Sequence, residues 1–196
     1  MNQQVAKAIE ALKVGGIVIF PTDTAFGIGC VIDNEEAVKR LFDIRKRPST
    51  QATPVLVESI DMAREYLVDI PEHIEEKLMK KYWPGALTIV LECQAEKVPE
   101  LVRGGTDTLG VRIPNHPVAL EIIRNVGKPI LGPSANFHGE LTPYTFEDLN
   151  PELVKLVDLV VPGECSVREA STVIDCTVSP WKTIRQGATT VSDSNT

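Results

Sequence analysis

Ile17-Val18-Ile19-Phe20-Pro21-Thr22-Asp23-Thr24-Ala25-Phe26-Gly27-Ile28-Gly29 is the stretch that decides the fold of this 196-residue chain. Ile17 to Phe20 is short, apolar and mostly β-branched, which predicts a buried strand. Pro21 to Gly29 carries hydroxyls and two glycines and reads as a loop leaving that strand. Upstream, Val5, Ala8, Ile9 and Leu12 share one helical face, and Gly15-Gly16 stop the helix. Downstream, Asn34 caps a helix with Ala37, Val38, Leu41 and Phe42 on one face. That helix runs into Arg45-Lys46-Arg47-Pro48, where Pro48 disfavours helix at Arg47. The same alternation continues along the chain. Further strands are expected at Pro54–Val57, Leu87–Leu91, Leu109–Ile113, Pro129–Gly132, Leu159–Val161, Thr172–Asp175 and Lys182–Arg185. Further helices are expected from Ser59 to Leu67, from Pro71 through Lys81, over Pro117–Val126 and over Leu153–Leu156. Alternating strands and helices predict an α/β fold. Several connections are too short for helical crossovers, so the sheet must mix parallel and antiparallel pairs. No linker or repeat divides the chain, so residues 1–188 are read as one domain. Residues 189–196 lack an apolar pattern and are expected to fray.

Composition narrows the function. Lys and Arg number 20 against 27 Asp and Glu, a net charge of −7, with 43% hydrophobic residues. Whole-chain disorder is excluded, and a protein that coats nucleic acid or an anionic membrane is usually basic. No apolar run approaches the ~20 residues a spanning helix needs. Lys7, Glu10 and Lys13 give the N-terminus a helical rather than a signal-peptide pattern. The expected location is the cytoplasm. Cys30, Cys93, Cys165 and Cys176 are widely spaced and are read as reduced, buried thiols. His73, His116 and His138 do not pair at metal-ligand spacing, so no protein metal site is expected.

Four polar segments interrupt the strands and helices: Pro21 to Gly29, Arg45 to Pro48, Pro133-Ser134-Ala135-Asn136, and Ser171-Thr172-Val173-Ile174-Asp175. Loops that follow apolar strands are where α/β proteins place ligands. The chain has no GxxxxGK[ST], no GxGxxG and no GxSxG. It is therefore not read as a P-loop nucleotidase, a dinucleotide-binding enzyme or a serine hydrolase. A group of basic residues in loops suits anionic substrates, although a solvated helix end would explain Arg45-Lys46-Arg47 alone. Arg112 stands in an apolar strand, where an unpaired charge costs several kcal/mol. It must grip either an anionic ligand or a structural carboxylate.

Taken in order, the segments resemble the motifs of the YrdC/Sua5/TsaC family. Pro21 to Gly29 is similar to its PT[DE]TxYGLG opening, and Arg45-Lys46-Arg47-Pro48 to KxRP. Thr108-Leu109-Gly110-Val111-Arg112-Ile113-Pro114, with His116-Pro117, resembles TxxVRxPxHP. Pro133 to Asn136 with Gly139 resembles PSANxSG, and Ser171 to Asp175 with Arg185 resembles the closing strand pair. The motifs cover about Gly15 to Gly187. The resemblance implies the short, single-domain form, with no room for a further C-terminal domain. It implies an open, strongly twisted mixed parallel/antiparallel sheet flanked by helices around a cationic cavity.

It also implies an L-threonylcarbamoyladenylate synthase, a nucleotidyltransferase. Such an enzyme forms threonylcarbamoyl-AMP and pyrophosphate from L-threonine, bicarbonate and ATP. A downstream tRNA threonylcarbamoyl-transfer complex then uses the product for the t6A modification of tRNA position 37. By this resemblance Arg45, Lys46 and Arg47 are the catalytic cations. Thr24, Arg112, the backbone at Gly132 and Ser171 meet threonine. Arg47, Thr108, Ser134, Asn136, Thr142 and Arg185 meet ATP, and Mg²⁺ arrives with the nucleotide. Direct tRNA binding is expected to be weak. Arg45 stands where the family usually has lysine, and the loop between Arg47 and Pro54 is about two residues longer than the pattern. Two other readings stay open: a paralogue with the same pocket and another substrate, and an RNA-binding or ribosome-assembly module, which the negative charge disfavours.

Overall fold

A computed structural model describes residues 2–191. Residues 192–196, most of the tail expected to fray, lie outside the described residues. Helix α1 (Gln3–Lys13) buries Val5, Ala8, Ile9 and Leu12 and ends ahead of Gly15, whose φ is +87°. Strand β1 (Val18–Pro21) follows, fully buried. The expected loop from Pro21 to Gly29 is in fact a hairpin. Thr22–Ala25 make its turn, and β2 (Phe26–Gly29) runs back antiparallel with Val18 opposite Gly29. The glycines of β2 suggest a loop, but at Gly29 the missing Cβ allows close packing. A Cβ on Gly29 would lie 2.3 Å from the Leu131 carbonyl oxygen. Helix α2 (Glu35–Arg45) begins where expected, with Asn34 Oδ1 accepting from the Ala37 N–H at 3.0 Å.

Most of the later strands build a second, larger sheet. It contains β3 (Val55–Leu56), β4 (Leu87–Glu92), β5 (Thr108–Arg112), β6 (Ile130–Leu131), and, further on, Thr172–Asp175 and Lys182–Arg185. Ser59 caps α3 (Ile60–Arg64), shorter than expected. The helix expected from Pro71 is irregular: α4 (Glu72–Ile74), a π-turn over Glu75–Met79, then α5 (Lys80–Tyr82). A short α6 (Glu100–Arg103) was not expected. Helix α7 (Pro117–Val126) has the expected bounds, with Gly127 left-handed after it. Helix α8 (Pro151–Val154) starts two residues early, capped by Asn150. Strand β7 (Leu159–Val160) runs parallel to β1. Strands β8 (Thr172–Asp175) and β9 (Lys182–Arg185) complete the order.

The strands pair as β2-β1-β7 and as β6-β3-β5-β4-β8-β9. β1·β7, β3·β5 and β4·β8 are parallel and the remaining pairs antiparallel, so both sheets are mixed or belong to a mixed frame. The sheets meet where β2 and its continuation lie beside β6. Ile28 donates to Pro133 O at 2.9 Å, and Leu131 to Cys30 O at 2.9 Å. One core face packs α1 against α7 through Leu12, Ile122 and Ile123. The other packs Leu41 and Phe42 of α2 with Ile89 and Val111 of the larger sheet. Fully burying such a side chain stabilises by roughly 1.5–3 kcal/mol. No described helix is long and apolar enough to cross a membrane.

Candidate active site

The site lies at the seam between the sheets, and the turn of the β1–β2 hairpin forms one wall. Thr22 Oγ1 donates to Ala25 O at 2.7 Å and lies 3.1 Å from Thr24 Oγ1, which fixes the turn. Arg112 ends β5, opposite Leu56 of β3. It is 6% exposed and ion-paired with Asp23, itself 2% exposed. Its Nε donates to Gly85 O at 2.8 Å and its Nη1 to Thr24 Oγ1 at 2.7 Å. Asp23 also accepts from the Asn115 N–H at 3.1 Å. Arg112 thus has a structural carboxylate behind it. Three of its five N–H donors are used, which leaves one each on Nη1 and Nη2. Burial pushes its pKa down and Asp23 pulls it back up. A guanidinium stays charged through such shifts.

The second wall is the end of α2. Arg45, 3% exposed, donates through Nε to Asn136 O at 3.0 Å and through Nη2 to Asn136 Oδ1 at 3.3 Å. Its Nη1 has no hydrogen-bond partner among the described residues. Burial, with Arg47 nearby, lowers its pKa to about 10. Arg47 donates to the Gln51 and Ala52 carbonyls, so the longer loop curls under its guanidinium. Burial lowers its pKa as well. Asn136 in turn holds the 133–140 loop: Ser134 Oγ donates to its Oδ1 at 2.6 Å, and its Nδ2 donates to Glu140 O at 2.7 Å.

The third wall is the approach to β8. Arg185 of β9 donates through Nε and Nη2 to Ser171 O at 3.0 and 2.8 Å, and through Nη2 to Ser171 Oγ at 3.1 Å. Thr88 Oγ1 of β4 lies 2.9 Å from Ser171 Oγ. Burial lowers the Arg185 pKa. Gly132 closes the floor and donates to Pro54 O at 3.0 Å. A Cβ there would stand 2.4 Å from Leu56 Cγ. Gly132→Ala is therefore expected to destabilise by roughly 1–3 kcal/mol, the cost of overpacking. A thermal melt unchanged from wild type would show that Leu56 moves freely.

The enclosed space is about 150 Å³. Pockets that surround a drug-sized ligand run to ~300–1,000 Å³, so this one has room only for a small molecule or for one part of a larger one. Thr24, Arg45, Arg47, Arg112, Gly132, Ser134, Thr142, Ser171 and Arg185 all line it. Lys46 does not. It is the left-handed cap of α2, with φ +52°, and its Nζ lies 4.9 Å over the Phe137 ring. Lys46, expected among the catalytic cations, is thus placed at the helix cap and outside the cavity's lining. Asn136 also stands behind the lining, where it orders Arg45 and Ser134. Thr108 begins β5, on the same face as Arg112 but four residues away, roughly 13 Å at strand spacing. Sequence reasoning missed Thr22, Thr88, Pro54 and Leu56, which also line the space. For Thr88 the signal was a lone hydroxyl in the apolar run Leu87 to Leu91. Four guanidiniums and, among the described residues, no carboxylate face the cavity. Such an arrangement attracts and stabilises anions.

The family model described as Telomere recombination, of the Sua5, YciO and YrdC proteins, matches residues 10–187. The threonylcarbamoyl-AMP synthase of Bacillus subtilis is 35% identical over 176 residues, 89% of this chain and 51% of its own length. The crystal structure of Pyrococcus abyssi Sua5 complexed with L-threonine superposes with a TM-score of 0.86 at 34% identity, over 93% of this chain and 54% of that one. The crystal structure of Escherichia coli YciO superposes with a TM-score of 0.86 at 28% identity, over 97% and 93%. The chain spans about half the length of the Bacillus and Pyrococcus proteins.

Proposed function

The chain belongs to the Sua5/YciO/YrdC family, and from that premise we propose that it forms L-threonylcarbamoyl-AMP and pyrophosphate from L-threonine, bicarbonate and ATP. The observation that carries the reading is the small cavity faced by four guanidiniums and by the hydroxyls of Thr24 and Ser171. The likeness to a relative solved with L-threonine supports it. Substrates that bring a carboxylate, a carbonate and a triphosphate to one place need such a set of cations.

The chemistry requires no triad. The threonine amine, unprotonated, attacks bicarbonate carbon and water leaves, giving the N-carboxylate. A carboxylate oxygen then attacks the α-phosphorus of ATP, and pyrophosphate leaves with its electron pair. The protein's part is positioning and charge stabilisation. The two N–H groups that Arg112 leaves unused hold the threonine carboxylate as a fork. Thr24, Ser171 and the backbone at Gly132 hold the rest of the amino acid. Arg45, with its unpartnered Nη1, and Arg47 stabilise the charge that passes to the phosphates. Ser134, Thr142 and Arg185 line the nucleotide's path, and Thr108 meets its far end. Asn136 acts on ATP through Ser134 and Arg45.

The lining offers hydroxyls and carbonyls rather than carboxylates, which fits a Mg²⁺ held by phosphates and water. That ion supplies neutralisation of phosphate charge. Calorimetry is expected to show no tight Mg²⁺ binding without nucleotide, and tight binding by the protein alone would contradict this. One domain, residues 1–188, carries the activity in the cytoplasm. The product passes to a tRNA threonylcarbamoyl-transfer complex.

The test is pyrophosphate release. Release is expected to require threonine and bicarbonate together. The rate with 2-aminobutyrate is expected to fall below that with serine. A site that hydrogen-bonds a hydroxyl rejects the analogue lacking it far more strongly than one missing a methyl, worth only ~1–3 kcal/mol. Likeness to YciO over nearly its whole length favours a second reading, the same pocket with another amine. Release indifferent to threonine but dependent on another amino acid would establish that reading instead.

A further inference from the structure

Ser171 Oγ takes one hydrogen bond from Arg185 Nη2, since a guanidinium can only donate. Its other neighbour is Thr88 Oγ1 at 2.9 Å. Thr88 is 3% exposed, and Ser171 is its hydroxyl's one hydrogen-bond partner among the described residues. The contact is built into the sheet. β4 and β8 run parallel with Leu87 opposite Thr172 and Thr88 opposite Val173, so Ser171, two residues before Val173 and on the same face, is the diagonal neighbour of Thr88. A buried hydroxyl without a partner is costly, so the pair stays made.

Two proton arrangements are open to two hydroxyls. The cavity's charge selects between them. The ligand groups drawn to a space faced by Arg45, Arg47, Arg112 and Arg185 are oxygen acceptors. A Ser171 that donated its proton to Thr88 would turn a lone pair toward those oxygens and repel them. With Thr88 and Arg185 both donating to Ser171, its proton points into the cavity. We infer that Thr88 is a specificity-determining positioning residue, which fixes Ser171 as a donor to an oxygen of the bound amino acid. The inference rests on the threonine reading above.

The experiment compares steady-state kinetics of pyrophosphate release for wild type, Thr88→Val, Thr88→Ser, Ser171→Ala and the Thr88→Val/Ser171→Ala double variant. Valine keeps the shape and β-branching of threonine and removes the hydroxyl. Thr88→Val is expected to raise the KM for L-threonine about three- to ten-fold, the worth of one neutral hydrogen bond. The KM for ATP should stay within about two-fold of wild type, because the effect passes through the amino-acid contact. Thr88→Ser should restore the threonine KM to within about two-fold. In the Ser171→Ala background, Thr88→Val should add nothing, since it acts through Ser171. A wild-type KM in folded Thr88→Val would overturn the inference. So would full additivity with Ser171→Ala, or a Thr88→Ser variant as impaired as valine, which would assign the effect to packing. A wild-type enzyme with no threonine-dependent release would instead bring down the functional reading and this inference with it.

Discussion

Arg112→Ala is expected to lose stability and threonine affinity together, and the two losses can be separated. The truncation leaves the Asp23 carboxylate, 2% exposed, without its cation. Breaking a buried pair by removing one partner costs roughly 3–5 kcal/mol. For a chain of this size that corresponds to a fall in Tm of roughly 6–20 °C. Asp23 also anchors the Asn115 N–H, so the segment between β5 and α7 loosens with it. On the functional side, charge-assisted hydrogen bonds contribute roughly 1.5–3 kcal/mol each. With two such bonds in the fork, the KM for threonine should therefore rise by about a hundred-fold or more. Asp23→Asn/Arg112→Ala removes both charges and should recover part of the Tm. It should recover none of the KM, because the Arg112 fork for the threonine carboxylate is still missing. Arg112→Lys should repair little of either, since one ammonium cannot reach Gly85 O, Thr24 and Asp23 and still offer a fork. Normal threonine dependence in a folded Arg112→Ala protein would reduce Arg112 to a structural role. Arg45, with its free Nη1, would then be the cation left for the carboxylate.

What could be read without coordinates followed local rules. Asn34 and Ser59 cap their helices because side-chain oxygens three residues ahead of an apolar stripe leave few alternatives. Pro117 and Gly127 bracket α7 for the same local reason. The misreadings arose where tertiary packing overrode local preference. Gly27 and Gly29 looked like loop residues, yet they lie in β2, and at Gly29 a Cβ would press on the Leu131 carbonyl and the Ile130 side chain. A run of three basic residues also carries no sign that its middle one, Lys46, forms the left-handed cap of α2 with its Nζ over the Phe137 ring and outside the cavity's lining. The site's wiring was the least legible part. Arg112 reaches Asp23 across 89 residues and Arg45 reaches Asn136 across 91. The sequence demanded a partner for Arg112 without naming it, and Thr88 gave no sign of its contact with Ser171 83 residues on.

Arg47→Ala should show the opposite kinetic pattern from Arg112→Ala. Arg47 lines the cavity, half-buried, and uses two of its donors on the Gln51 and Ala52 carbonyls. The remaining three N–H groups are available to phosphate oxygens. In the proposed reaction negative charge grows on the leaving pyrophosphate as the α-phosphate is attacked, so a contact from Arg47 would be stronger in the transition state than in the bound substrates. Only such differential contacts change turnover. Losing one preorganised donor of this kind costs about 10²–10³ in kcat. The threonine carboxylate does not change charge in the reaction, so the KM for threonine should hardly move. Stability should fall by about 1–2 kcal/mol, the worth of two hydrogen bonds to the loop. That is well below the loss for Arg112→Ala. Arg47→Lys keeps the charge and loses the fork, so its kcat should lie between the two. The longer loop sharpens the test. In Arg47→Ala the Gln51 and Ala52 carbonyls lose their donor, and the loop keeps the Gln51 N–H to Pro48 O at 3.1 Å and the Thr53 N–H to Val102 O at 2.9 Å. If the loss of turnover came from that loosened loop, shortening the loop by its two extra residues would rescue Arg47→Ala. If it comes from the missing charge, no change in the loop will restore it, and a kcat that survives Arg47→Ala would remove Arg47 from the chemistry.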